Sequence, residues 1–139
     1  MPLNFRRLNH ICINVPPGEH KKVREFYGDM LGLKEVKPPI EIATNFDVIW
    51  YALGDMLLQI VLTGCYVQFP RHYMENGIHV PANHLAIEVR NIHEFRKELE
   101  SKKADTSDDI PIAGRDRFFV IDPFGNFIEI LEFHKEKIR

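Results

Sequence analysis

The sequence predicts an α+β fold made of two copies of one unit, each running strand, helix and then further strands. Three observations predict it. Residues 8–15 read LNHICINV and residues 82–89 read ANHLAIEV, with Asn9/Asn83, His10/His84, Ile13/Ile87 and Val15/Val89 identical at a constant offset of 74. Each segment then leads into a charged, helix-like stretch, EHKKVREFYGDML in the first half and IHEFRKELESKK in the second. Each half closes on a strand-like run after a turn: MLLQIVL follows Leu53-Gly54-Asp55, and FIEILEF follows residues 122–126. Similarity at a fixed offset, with the elements in one order, marks an internal repeat.

The elements follow from periodicity. In the first strand Ile11, Ile13 and Val15 alternate with His10, Cys12 and Asn14, a period of two that separates two faces. Its partner alternates Leu85, Ile87 and Val89 with His84, Ala86 and Glu88. A helix over about 19–31 puts Val23, Phe26, Tyr27 and Met30 on one side at three- and four-residue spacing, and Gly32 is its expected C-terminal cap. A second helix over about 92–103 places Ile92, Phe95 and Leu99 in the same way. Asp122-Pro123-Phe124-Gly125-Asn126 is a turn by composition and leads into a strand. The stretch from Thr63 to Ala82 has Pro70 and Pro81 and no sustained period, so it reads as the connection between the halves.

A chain of 139 residues is long enough for one domain with its own core. Eighteen Lys and Arg against twenty Asp and Glu give a net charge of -2, which provides no excess to neutralise phosphates and argues against a nucleic-acid binder. Cys12 and Cys65 form no CxxC pair and read as reduced thiols. Residues 1–7 lack the apolar core of a signal peptide, and no apolar run reaches membrane-spanning length. The expectation is a soluble cytoplasmic protein without nucleic-acid or membrane partners.

Strand parity selects the candidate site. If the apolar faces of the first strands cover the helices, His10 and His84 point away from them. In the closing strands Leu57, Gln59 and Val61 oppose Leu58, Ile60 and Leu62, while Phe127, Glu129 and Leu131 oppose Ile128 and Ile130. Two-fold repetition then brings His10, Gln59, His84 and Glu129 onto inner faces at equivalent heights. Two imidazoles, a carboxylate and an amide oxygen suit a divalent metal. Singly, a strand histidine is more often a hydrogen-bonded core or edge residue; four suitable residues at equivalent places of a repeat point to a site. Cys12 shares a face with His10 and is either pocket lining or a small apolar residue. Arg115 and Arg117 either hold a substrate carboxylate or phosphate or form an exposed turn with Asp116. His72, Tyr73 and His79 fall in the connecting stretch, and His20, His93 and His134 read as surface residues.

LNHICINV, FYGDMLGLKEV, NHLAIEV and RFFVIDPFGNFIEILEF resemble the vicinal-oxygen-chelate superfamily, which includes glyoxalase I, fosfomycin-resistance proteins, methylmalonyl-CoA epimerase, extradiol dioxygenases and bleomycin-resistance proteins. The resemblance covers nearly the whole chain and is weakest through 38–48 and 63–81. It implies two βαβββ modules forming a cupped mixed sheet around a metal site, with helices on the outer face. It places one such domain over residues 1–139, with module one at about 5–66, a connection at about 67–81 and module two at about 82–134. It also implies a divalent ion (Ni, Co, Mn, Zn or Fe) on His10, Gln59, His84 and Glu129, a small-molecule substrate and a homodimer. The expected activity is lyase or isomerase chemistry on a small oxygenated metabolite through a metal-bound vicinal oxygen pair, with Glu129 as base once it leaves the metal. An Fe(II) extradiol-type dioxygenase using His10, His84 and Glu129, and a metal-free binding protein, are the alternatives.

Overall fold

Alternation of apolar and polar side chains makes strands, and the structure, a computed structural model, describes residues 3–66, 74–75, 78–79 and 84–135. The chain divides into two compact units, Met1–Val67 and Gln68–Arg139. In the first, β1 (His10–Val15) leads into α1 (His20–Val23), which continues as a wider π-helical stretch over Arg24–Met30. There the Leu31 N–H donates to the Phe26 carbonyl five residues back, at 2.9 Å. Gly32 ends the helix at φ +72°, a left-handed conformation that a Cβ would strain. β2 (Lys34–Val36), α2 (Ile40–Asn45), β3 (Val48–Leu53) and β4 (Met56–Leu62) complete the unit.

Next along the chain, β5 (Met74–Glu75) pairs antiparallel with β6 (Ile78–His79). Residues 67–73, 76–77 and 80–83, including His72 and Tyr73, lie outside the described residues. The second unit then runs β7 (His84–Glu88), α3 (Ile92–Ser101), β8 (Asp105–Ser107), β9 (Arg115–Ile121) and β10 (Phe127–Phe133).

The two sheets have one topology. Their strand orders are β1-β4-β3-β2 and β7-β10-β9-β8. In each, the first strand lies parallel to the last and the remaining pairs are antiparallel. Even the register repeats: Cys12 stands opposite Gln59 in the first unit, and Ala86 opposite Glu129 in the second. This is the α+β arrangement of two βαβββ modules that the resemblance implied.

One face of each sheet is covered by the unit's own helix. In the first, Val15, Ile49, Tyr51, Leu58 and Ile60 are buried together with Val23, Phe26 and Tyr27 of the helix, and the Tyr27 and Tyr51 rings lie 6.1 Å apart. In the second, Phe118, Val120, Ile128 and Ile130 are buried with Ile92 and Leu99 of α3, and the Arg96 guanidinium lies 4.9 Å over the Phe118 ring. Each such buried side chain contributes about 2 kcal/mol. The N-terminus of α3 starts from Asn91 in the left-handed region (φ +57°) and has no local side-chain cap. Glu132 of β10 supplies one instead, accepting from the N–H groups of Asn91 (2.6 Å) and Ile92 (3.3 Å). A carboxylate at this position satisfies orphan donors and complements the helix dipole.

The predicted helices at about 19–31 and 92–103 are observed within one or two residues. The short β2, α2 and β8 left no readable period because three to six residues span too few repeats. Arg115 and Arg117 are strand residues of β9, not an exposed turn, because β9 extends back to Arg115 to pair with Phe133. No helix among the described residues is long and apolar enough to cross a membrane.

Tyr51 lies against the helix with its hydroxyl buried and unpartnered among the described residues. Desolvation, then the charge of Glu35, pushes its pKa up to about 12 from 10.0. The folded state therefore disfavours the phenolate, so this group's contribution is intact below pH 10 and is lost as pH rises through 12. Tyr51→Phe should keep or slightly raise stability at pH 7, by up to about 1 kcal/mol. In urea unfolding from pH 9 to 12 it should also lose stability less steeply than the wild type.

Candidate functional site

The faces opposite the helices carry the polar residues. In the first unit, register puts His10, Cys12 and Asn14 of β1, Gln59 of β4 and Trp50 of β3 on that face, with Cys12, Gln59 and Trp50 in one row. His10, Cys12 and Asn14 are exposed. The His10 Nδ1 lies 2.9 Å from the side-chain oxygen of Asn9. When Nδ1–H donates to that oxygen, Nε2 keeps its lone pair free, the state in which an imidazole accepts a proton or binds a metal. The repeat counterpart of Asn9, Asn83, lies outside the described residues.

In the second unit the same face carries His84 and Ala86 of β7, Phe127, Glu129 and Leu131 of β10, and Arg115, Arg117, Phe119 and Ile121 of β9. Phe119, Ile121 and Phe127 form a buried cluster. Glu129 is one of two charged residues among the buried ones, the other being Asp122. Its charge is matched: Arg117 donates to Glu129 Oε1 from Nε at 3.1 Å and from Nη2 at 3.0 Å. The Arg117 Nη1 donates to the Ile110 carbonyl at 2.6 Å, and Nη2 lies 3.7 Å from Asp109 Oδ2. The His84 Nε2 approaches Glu129 Oε1 at 3.9 Å. The Phe119 ring supports both partners, with the His84 ring edge-on at 5.3 Å and the Arg117 guanidinium 5.3 Å from its centroid.

Strand β10 is aimed by the turn before it. The buried Asp122 accepts from the backbone N–H groups of Phe124 (2.9 Å) and Asn126 (2.8 Å), and from the Asn126 side-chain amide (2.8 Å). Gly125 takes φ +90° there, a conformation that favours glycine. Three donors thus converge on one carboxylate at the point where β9 reverses into the strand that carries Glu129.

Of the residues singled out from the sequence, the structure joins His84 to Glu129 and adds Arg117. It sets Cys12 opposite Gln59. Arg115 shares the Arg117 face but turns to Phe133, with its guanidinium 4.6 Å from that ring and a buried Nε that has no partner among the described residues. His20 pairs with Asp47, and His93 and His134 both face Asp116, all on exposed surface. The hydrogen bond from His134 holds the Asp116 carboxyl below its ordinary value. Asp109 was not foreseen. It follows Asp108 in an aperiodic stretch, and paired acids there are indistinguishable from a solvated loop.

Among the described residues no group of three His, Cys, Asp or Glu side chains is arranged to hold a metal ion. The His84–Glu129 pair nevertheless has donor chemistry that fits one. Two ligands of a tetrahedral first-row ion, each about 2.1 Å from it, stand about 3.4 Å apart, somewhat closer than the 3.9 Å seen here. Both Arg117 hydrogen bonds fall on Oε1, the same carboxylate oxygen that the His84 Nε2 approaches.

A family model described as Glyoxalase superfamily protein matches residues 11–137. The chain belongs to the glyoxalase superfamily. Among solved structures, this glyoxalase-superfamily chain is similar to a protein described as of the glyoxalase family from Bacillus anthracis (27% identity, TM-score 0.82, covering 96% of this chain and 99% of that one). It is also similar to a glyoxalase/dioxygenase from Nostoc punctiforme (21% identity, TM-score 0.75, 97% and 96% covered). A fosfomycin resistance protein from Listeria monocytogenes matches at 11% identity and a TM-score of 0.69, with 93% and 94% covered. The last two likenesses show the fold alone. No curated protein matches the sequence.

Asp122→Ala removes the acceptor of three donors and should destabilise the protein by about 3 kcal/mol. Urea unfolding followed by far-UV circular dichroism checks this.

Proposed function

We propose that this member of the glyoxalase superfamily is a metal-dependent enzyme that acts on a small oxygenated metabolite by lyase or isomerase chemistry. Its metal donors are His10 and Gln59 of the first unit and His84 and Glu129 of the second. The observation that supports it best is the approach of the His84 Nε2 to the Glu129 carboxylate on the helix-free face of the second unit. His10 and Gln59 hold the corresponding register positions of the first. A divalent ion, when bound, supplies a Lewis acid for adjacent carbonyl and hydroxyl oxygens of the substrate.

The chain's own residues supply the rest. Glu129, once it is no longer a metal donor, is the carboxylate that takes a proton from the carbon next to the carbonyl. Arg115 and Arg117 are the guanidinium groups that hold a substrate carboxylate or phosphate. Cys12 lines the face beside His10. The protein works as a homodimer.

One observation favours a second reading. A guanidinium already occupies Glu129, as suits a metal-free site that binds its ligand without turnover.

Chelator-treated protein titrated calorimetrically with Ni²⁺, Co²⁺, Mn²⁺, Zn²⁺ and Fe²⁺ in turn should bind at least one of them at one ion per chain. His84→Ala and Glu129→Ala should each weaken that binding by more than about 100-fold, beyond what loss of an outer-shell contact usually costs. A protein that binds none of the five ions overturns the metal reading and leaves the metal-free one.

A further inference from the structure

We infer that Arg117 competes with the metal ion for Glu129, and that Asp109 sets the outcome by offering the guanidinium a second carboxylate. The inference rests on the metal reading above and deepens it. The Arg117, Asp109 and Glu129 side chains are each only 11% exposed, so two carboxylates share one guanidinium largely away from water. The guanidinium now donates to Glu129, at 3.0 and 3.1 Å, and pairs with Asp109 only loosely, at 3.7 Å. Asp109 is itself held, because its Oδ1 accepts the Ile110 N–H at 2.7 Å. The same Ile110 anchors the Arg117 Nη1 through its carbonyl.

A divalent ion on Glu129 and a guanidinium at 3 Å from the same oxygen repel each other strongly where screening by water is weak. The guanidinium has to leave Glu129 as the ion arrives. A shift of under 1 Å by Nη2 brings it into contact with Asp109 while Nη1 stays on Ile110 and the flat ring of Phe119 supports the slide. Asp109 is therefore a positioning residue: it receives Arg117 and frees Glu129. The exchange also leaves an ion-paired guanidinium beside the metal, where it can take an anionic group of the substrate.

The test is binding of Ni²⁺ and Co²⁺ to the chelator-treated full chain, by calorimetry and by the cobalt absorption spectrum, with circular dichroism to confirm folding. Arg117→Gln should tighten binding by about 10-fold, and Asp109→Asn should weaken it by about 10-fold, the scale of outer-shell effects. In the double variant the Asp109→Asn effect should largely vanish, because Asp109 acts through Arg117. Should Arg117→Gln not fold, Asp109→Asn alone decides, and unchanged affinity overturns the inference. If the wild type binds an ion and Arg117→Gln changes its affinity by less than about twofold, the inference fails and the metal reading stands. An equal loss from Asp109→Asn with and without Arg117 means simple through-space charge and also overturns it. Binding by Arg117→Gln but not by the wild type supports the competition in its strongest form. Binding by neither overturns the metal reading and the inference together.

Discussion

The parallel pairing of β1 with β4, and of β7 with β10, is the constraint on which the rest of the structure depends. Side chains alternate along a strand with a period of two, so the pairing register decides which set faces the helix and which faces away. With Ile11 opposite Leu58 and Ile13 opposite Ile60, the apolar rows lie together under α1. His10, Cys12 and Gln59 are then carried to the opposite face. A slip of one residue in β4 would bury Gln59 under the helix and expose Leu58 and Ile60. Burial of the apolar rows thus holds the polar residues of the first unit on the opposite face.

The second unit adds a different device to the same frame. Its helix-free face carries a buried aromatic and aliphatic cluster, Phe119, Ile121 and Phe127, and sets a charged group within it. A buried carboxylate is costly unless its charge is matched. Arg117, brought beside Glu129 by the antiparallel pairing of β9 with β10, provides the match, and Phe119 lies under both Arg117 and His84. The unit that holds the only carboxylate of the proposed donor set is therefore also the one that holds a counter-cation for it. Asp122 and Glu132 serve the scaffold: one shapes the turn into β10, and the other caps α3 from the end of β10.

Much of this was legible in the residues. The offset of 74 between LNHICINV and ANHLAIEV located β1 and β7, and parity within each strand assigned His10, Gln59, His84 and Glu129 to their faces correctly. The DPFGN turn and the two helices were readable because turn composition and helical spacing are local properties. The Glu132 cap on α3 was not, since it joins residues about 40 apart in the chain. The Arg117–Glu129 pair was also hidden: both residues were singled out, but for different tasks. Only the pairing of β9 with β10 shows that one neutralises the other. Asp109 had no local signal at all, because a loop residue acquires a partner only when the strands around it are assembled.

By itself, the sequence determined the repeat, the order of elements in each unit and the face on which each strand residue lies, since these depend on spacing along one chain. The tertiary structure alone decided the electrostatic state of the candidate site: Glu129 carries a guanidinium, and Asp109 lies 3.7 Å from that same guanidinium. Periodicity is written into the order of residues, whereas the charge environment of a side chain is the sum of groups that only folding brings within a few ångströms.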